Sequence, residues 1–211
     1  MHVDFSTARW LHQPQRCEIT GSAARLTTEP RTDLWQRSYY GFSRDNAPAL
    51  LLTGKTNFTF TVRASFAYRG RFDQCGVIVY LDGGNWFKAS VEYEQEHLAR
   101  LGSVVTNLGY SDWATTDIPV PAAMWYRLSR RGPDFLAESS PDGTDFTQMR
   151  IFHLHRLGGT TPEMGRTDPP APPQEPVRFG VYACSPLESS FDAEFDCSTL
   201  TACAWRAHPV L

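Results

Sequence analysis

The run N-W-F-K-A-S-V-E-Y-E-Q-E, residues 85–96, alternates a tryptophan, a lysine and glutamates with apolar residues. Successive side chains of an extended chain point to opposite faces. Trp86, Lys88, Ser90, Glu92 and Glu94 therefore share one side, while Phe87, Ala89, Val91 and Tyr93 share the other, which suits a core. An exposed aromatic ring beside charged groups is the material of a carbohydrate site: the ring covers C–H faces, and the polar groups exchange hydrogen bonds with hydroxyls. The competing reading is a solvated outer face, because antiparallel sheets often keep one face wet.

Other residue types bear on the same chemistry. Glu92 and Glu94, adjacent on one face, approach the separation of about 5–5.5 Å that retaining glycoside hydrolysis needs, and Asp73 is a third candidate acid. The acidic triplet E-x-D-x-x-E of glucanases is absent, so two surface glutamates are the simpler account. Asp73-Gln74, Asp33-Leu34-Trp35 and Ser111-Asp112-Trp113 put short acids beside polar or aromatic residues where strands begin or end, positions from which loops present side chains; each is also explained as turn structure. With Lys88, Glu92, Arg127 and Arg150 they form a candidate polar cluster. The two arginines suit a ligand carboxylate or phosphate in fork geometry, or serve to neutralise Glu92 and Asp73. The ligand-binding candidates are thus Asp73, Gln74, Trp86, Lys88, Glu92, Asp112, Trp113, Arg127 and Arg150.

Metal and cofactor chemistry have little support. His153 and His155 share an expected strand face, but no third ligand follows at diagnostic spacing and His97 is the nearest alternative. Asp82-Gly83-Gly84-Asn85 reads as a hairpin turn rather than a calcium loop. Cys184-Ser185-Pro186 lacks the nucleophile elbow, and no Walker loop or G-x-G-x-x-G is present. Neither a metal nor a cofactor is expected.

The elements that must position these residues read as strands. In F-T-F-T-V-R-A-S-F-A-Y (58–68), period-two alternation marks a strand with one buried face. Residues 74–81 and 85–93 flank Asp82-Gly83-Gly84 and should pair antiparallel. Residues 124–130 turn through Arg131-Gly132-Pro133-Asp134 into 135–139, and 177–184 and the segment around Phe191 to Phe195 return to the same core. No convincing helical period appears, which points to an all-β chain of two packed antiparallel sheets. Residues 157–176 carry six prolines and three glycines and read as a surface loop. The chain of 211 residues is expected to form one domain, 1–211, around that loop.

The series T-D-L-W (32–35), D-Q-C-G-V (73–77), N-W-F-K (85–88) with Glu92 behind it, S-V-V-T (103–106), S-D-W (111–113), W-Y-R (125–127), S-x-D-G (140–143), Arg150 and G-V-Y-A-C-S-P (180–186) resembles the regulation-of-enolase-protein family, a largely uncharacterised group of the concanavalin A-like lectin/glucanase superfamily. The resemblance runs collinearly from about Trp10 to Phe195. It implies a concanavalin A-like jelly-roll sandwich whose concave sheet often holds carbohydrate in that superfamily, and it implies no activity. The proline-rich stretch departs from the shorter connection expected there.

Composition bounds the rest. A formal net charge of −3 leaves no basic footprint for nucleic acid, and 41% hydrophobic residues with 13% aromatics fill a soluble core without a membrane span. The N-terminal residues lack the pattern of a secretory signal, and five cysteines with no C-x-x-C pair read as free thiols; cytoplasmic residence is the expectation. The reading is a carbohydrate- or small polar ligand-binding protein. Its alternatives are a glycan-processing enzyme using strand-borne carboxylates, and a non-catalytic regulatory protein contacting a metabolic enzyme.

Overall fold

Alternating apolar residues and glycine- or proline-bearing turns become strands and hairpins along the whole chain. A computed structural model describes residues 1–173 and 175–207; Gln174, in the proline-rich stretch, and residues 208–211, at the end of the expected domain, lie outside the described residues. The strands, in chain order, are β1 (Arg9–Leu11), β2 (Cys17–Ile19), β3 (Ala24–Thr27), β4 (Leu34–Gln36), β5 (Ser43–Asp45), β6 (Ala49–Gly54), β7 (Phe58–Phe66), β8 (Gln74–Asp82), β9 (Asn85–Gln95), β10 (Leu98–Asn107), β11 (Tyr110–Ile118), β12 (Ala123–Arg131), β13 (Asp134–Ser140), β14 (Thr147–His153), β15 (Val177–Cys184) and β16 (Asp192–Ala202). The helical turns among the described residues are single 3-10 turns at Phe5–Thr7 and His155–Leu157, and no helix there is long and apolar enough to cross a membrane.

Two seven-stranded antiparallel sheets result. The first runs β1-β6-β15-β8-β9-β10-β11 and the second β14-β13-β12-β7-β16-β3-β2. Their facing sides supply the sandwich core: Cys75, Val77, Val79, Phe87, Ala89 and Val91 from the first meet Phe58, Phe60, Val62, Tyr126 and Phe135 from the second. Phe152 stacks between Phe87 and Phe135, with ring centroids 3.8 and 5.0 Å away, and stacked aromatic contacts of this kind add to the gain from burial alone. The expected pairings appear: β8 meets β9 through the Gly83-Gly84 turn, and β12 meets β13 through Gly132-Pro133.

The outer face of the first sheet is not left wet. A two-stranded hairpin, β4-β5, lies over it and seals a second apolar cluster in which Leu34, Trp35 and Ala47 pack on Ile78, Tyr80, Trp86, Val104 and Tyr182. As a result every residue from Gln74 to Tyr80 is buried, whichever way it points. The stretch between Leu157 and Val177 forms no strand among the described residues. It is tied to the sandwich by the Arg131 guanidinium, which donates to Asp168 Oδ1 (2.7 Å) and to the Met164 and Thr167 carbonyls, and by Asn57 Nδ2, which donates to the Ala171 carbonyl (2.7 Å).

Candidate functional site

Between the β4-β5 hairpin and the outer face of the first sheet lies a cavity of about 250 Å³. Its polar floor comes from alternate residues of β9, Lys88, Ser90 and Glu92, joined by Gln74 from the start of β8. The register explains the grouping: Gln74 stands opposite Glu92, and Gly76 opposite Ser90. Gly76 is required there, because a Cβ would lie 2.0 Å from the carbonyl oxygen of Ala89. Walls of Trp35, Tyr40, Phe42, Phe72 and Trp113 complete the cavity, with Trp35 edge-on to Trp113 at 6.4 Å and to Tyr40 at 5.4 Å.

The ionisable groups of the floor are Lys88 and Glu92. Lys88, 4% exposed, places Nζ 3.2 Å from Asp33 Oδ1; Asp33 also accepts from the Leu34 amide at 2.7 Å. Burial opposes the lysine charge, but the carboxylates of Asp33 and Glu92 more than offset it, so Lys88 sits above the ordinary lysine pKa and stays an ammonium. Burial pushes the carboxyl of Glu92 up to about 7, with Lys88 opposing that rise. Gln74 Nε2 donates to Glu92 Oε2 at 2.9 Å and to the Phe72 carbonyl at 3.1 Å, and Tyr182 donates to Gln74 Oε1 at 3.0 Å. The amide is thereby fixed in orientation. The second oxygen of Glu92 is buried and has no hydrogen-bond partner among the described residues.

The structure divides the residues expected from sequence. Gln74, Lys88, Glu92 and Trp113 line one cavity, together with Asp33 and Trp35 of the D-L-W run. Trp86 does share their side of β9, yet it is fully buried under the hairpin and donates to the Gly83 carbonyl at 3.2 Å. The expectation of an exposed Trp86 platform is therefore corrected: Trp86 is floor packing beneath Lys88, and the rings that line the cavity are Trp35, itself largely buried, Tyr40, Phe42, Phe72 and Trp113. Arg127 belongs to the other sheet, outside the core, where Glu138 takes it in a two-point ion pair of 2.7 and 2.6 Å. Arg150 binds Asp112 Oδ1 at 2.6 Å; Asp112 stands opposite the core-facing Val105 and so points away from the cavity that its neighbour Trp113 lines.

The other candidate acids are also committed elsewhere. Asp73 Oδ2 accepts from the Arg69 and Gly70 amides at 2.9 and 2.8 Å and from Ser189 Oγ at 2.8 Å, shaping the loop before β8. Glu94 pairs with Arg71 and, at 3.6 Å, with Arg100. Neither lines the cavity. His155 lies in a 3-10 turn instead of on a strand beside His153; their Nδ1 atoms lie 2.9 Å from Asn107 Oδ1 and 2.8 Å from Asp134 Oδ1, respectively. Among the described residues no group of three potential ligands is placed to hold a metal ion. Sequence reasoning missed Tyr40, Phe42 and Arg44 of the hairpin and Phe72 before β8. The aromatic-rich turn S-Y-Y-G-F, residues 38–42, was the available signal.

Two antiparallel seven-stranded sheets with a lined hollow on the outer face of one define the class: a concanavalin A-like jelly-roll sandwich. The chain matches the family described as "Protein of unknown function (DUF1349)" over residues 10–203 and belongs to that family. Regulation of enolase protein 1 of Saccharomyces cerevisiae is 30% identical over 202 residues, which are 95% of this chain and 92% of that protein. A crystal structure of a functionally unknown Saccharomyces cerevisiae protein has a TM-score of 0.80 at 28% identity, over 95% of this chain and 98% of that one. The GH43 protein BlXynB of Bacillus licheniformis has a TM-score of 0.66 at 15% identity, over 95% of this chain and 39% of that one, a likeness of fold.

Proposed function

We propose that this protein binds a carbohydrate or a similarly small polar molecule in the cavity beneath the β4-β5 hairpin. The observation that carries the reading is the buried oxygen of Glu92 with no partner among the described residues. A buried polar atom of this kind ordinarily finds a partner; a ligand hydroxyl would supply one, with Lys88 and Gln74 within the same floor and aromatic walls to cover C–H faces. The volume of about 250 Å³ lies just below the roughly 300 Å³ at which drug-sized sites begin. One sugar ring or a short polyol suits it better than a long polymer.

Hydrolysis has weaker support. It needs a second carboxylate free to act, and Asp33, which does line the cavity, is held by Lys88. Cytoplasmic residence belongs to the binding reading: the five cysteines are unpaired, as a reducing compartment keeps them.

Thermal unfolding across a panel of monosaccharides, polyols, sugar acids and sugar phosphates tests the proposal. A ligand present at a hundred times its Kd should raise the wild-type melting temperature by on the order of 5 °C. Trp113→Ala should abolish that rise, whereas Arg127→Ala, altered on the opposite sheet, should keep it. A wild type indifferent to the whole panel, or a rise that survives in Trp113→Ala, would refute the reading.

A further inference from the structure

We infer that the ligand carries an anionic group, a carboxylate or a phosphate, and that Arg44 receives it at the mouth of the cavity; the inference rests on the binding reading above. Inside the cavity the charges are already matched. Lys88 is spent on Asp33, and Glu92 shares its hydrogen-bonded oxygen with Gln74. Arg44 is different. It lines the same cavity from β5, is exposed, and has no carboxylate within ion-pair distance among the described residues. Its Nη1 reaches only the carbonyls of Arg31 and Pro186, at 3.3 and 3.4 Å, and the guanidinium lies 5.7 Å from the centre of the Phe42 ring.

The acids nearby face other groups. Asp45, next in sequence, accepts from the Tyr80 hydroxyl at 2.7 Å and lies 3.9 Å from His12, and Glu188 is paired with Arg31. Arg100, beside the Trp113 wall, is likewise committed, to Glu94 and Asp117. Among the described residues, the one cation lining the cavity without a carboxylate partner is therefore a planar fork held at its entrance by two carbonyls. A guanidinium so presented fits two oxygens of a carboxylate or phosphate. The floor meanwhile offers the remaining N–H groups of the Lys88 ammonium and the unpartnered oxygen of Glu92 to hydroxyls. A sugar acid or sugar phosphate matches both ends.

Isothermal titration with four probes on one ring, glucose, glucuronate, glucose 1-phosphate and glucose 6-phosphate, tests this. At least one anionic probe should bind the wild type about tenfold more tightly than glucose, as expected of a charge-assisted fork. Carboxylate and phosphate are told apart by which probe gains. The advantage should disappear in Arg44→Gln, survive in part in Arg44→Lys, which keeps the charge without the fork, and shrink in high salt. Glucose binding as tightly as every anionic probe, or an advantage that persists in Arg44→Gln, overturns the inference and leaves the binding reading standing. A wild type that binds none of the four overturns both.

Discussion

Burial holds the proton on Glu92 up to about pH 7, against 4.5 for an unperturbed glutamate. That difference has a sign that can be worked through. The folded protein binds this proton more tightly than the unfolded chain, so its contribution to stability is complete below pH 4.5 and is lost as pH climbs through 7. Replacing the carboxyl by an amide removes the penalty without removing the acceptor that Gln74 uses. Glu92→Gln should therefore be more stable than wild type by roughly 1–3 kcal/mol at pH 8 and nearly equal to it at pH 4. Urea unfolding midpoints at the two pH values measure the gap, and a gap that does not grow with pH would mean that Glu92 is not buried as described. Trp86, by contrast, shows what a single residue's alternation cannot convey. Its side of β9 follows from its parity with Lys88 and Glu92, but its burial comes from Leu34 and Trp35, some fifty residues away in sequence.

At the scale of elements, the long strands were legible because period-two patterning and turn residues are local. Strand β15 matches residues 177–184 as expected, and Gly83-Gly84 and Gly132-Pro133 sit at the predicted hairpins. The short cover was not legible: β4 and β5 have three residues each, too few for a period, and their place depends on tertiary contacts. The assignment of Arg127 and Arg150 to the site failed for a related reason. Sequence says which face of a strand a residue takes, not which sheet that strand joins, and β12 and β14 lie in the second sheet. The proline-rich stretch owes its order to a few buried donors, chiefly Arg131, whose side chain is 5% exposed and donates four hydrogen bonds, to Asp168, Trp205, Met164 and Thr167. A lysine carries the charge but not the fork. Arg131→Lys should therefore speed limited proteolysis within 157–173 several-fold while moving global stability by only about 1–2 kcal/mol. Peptide mapping of the first cuts reads this out, and an unchanged rate there would assign the loop's order to other contacts.

At the scale of the whole molecule, the sandwich and its cover are held by different kinds of contact. Each large sheet is a continuous ladder packed over a shared apolar core. The hairpin, whose strands pair only with each other among the described residues, is docked by the Trp35 cluster and by polar ties that include Asp33 to Lys88, the Gln36 amide to Ser111 Oγ at 2.9 Å, Asp45 to the Tyr80 hydroxyl at 2.7 Å, and Arg44 to the Pro186 carbonyl at 3.4 Å. Undocking it exposes less apolar surface than opening the sandwich and severs no ladder of either large sheet, so its opening costs less than global unfolding. The turn carries Tyr40 and Phe42, at 53% and 42% exposure, against the cavity, and Tyr39, at 96%, outside it. Amide hydrogen exchange should thus be faster across residues 34–45 than across β8 and β9 by an order of magnitude or more. Trp35→Ala, which removes the largest anchor of the cover, should speed exchange at 34–45 further while leaving β12 and β13 unchanged. Equal protection of hairpin and sandwich would show instead that the cover opens only when the whole protein unfolds.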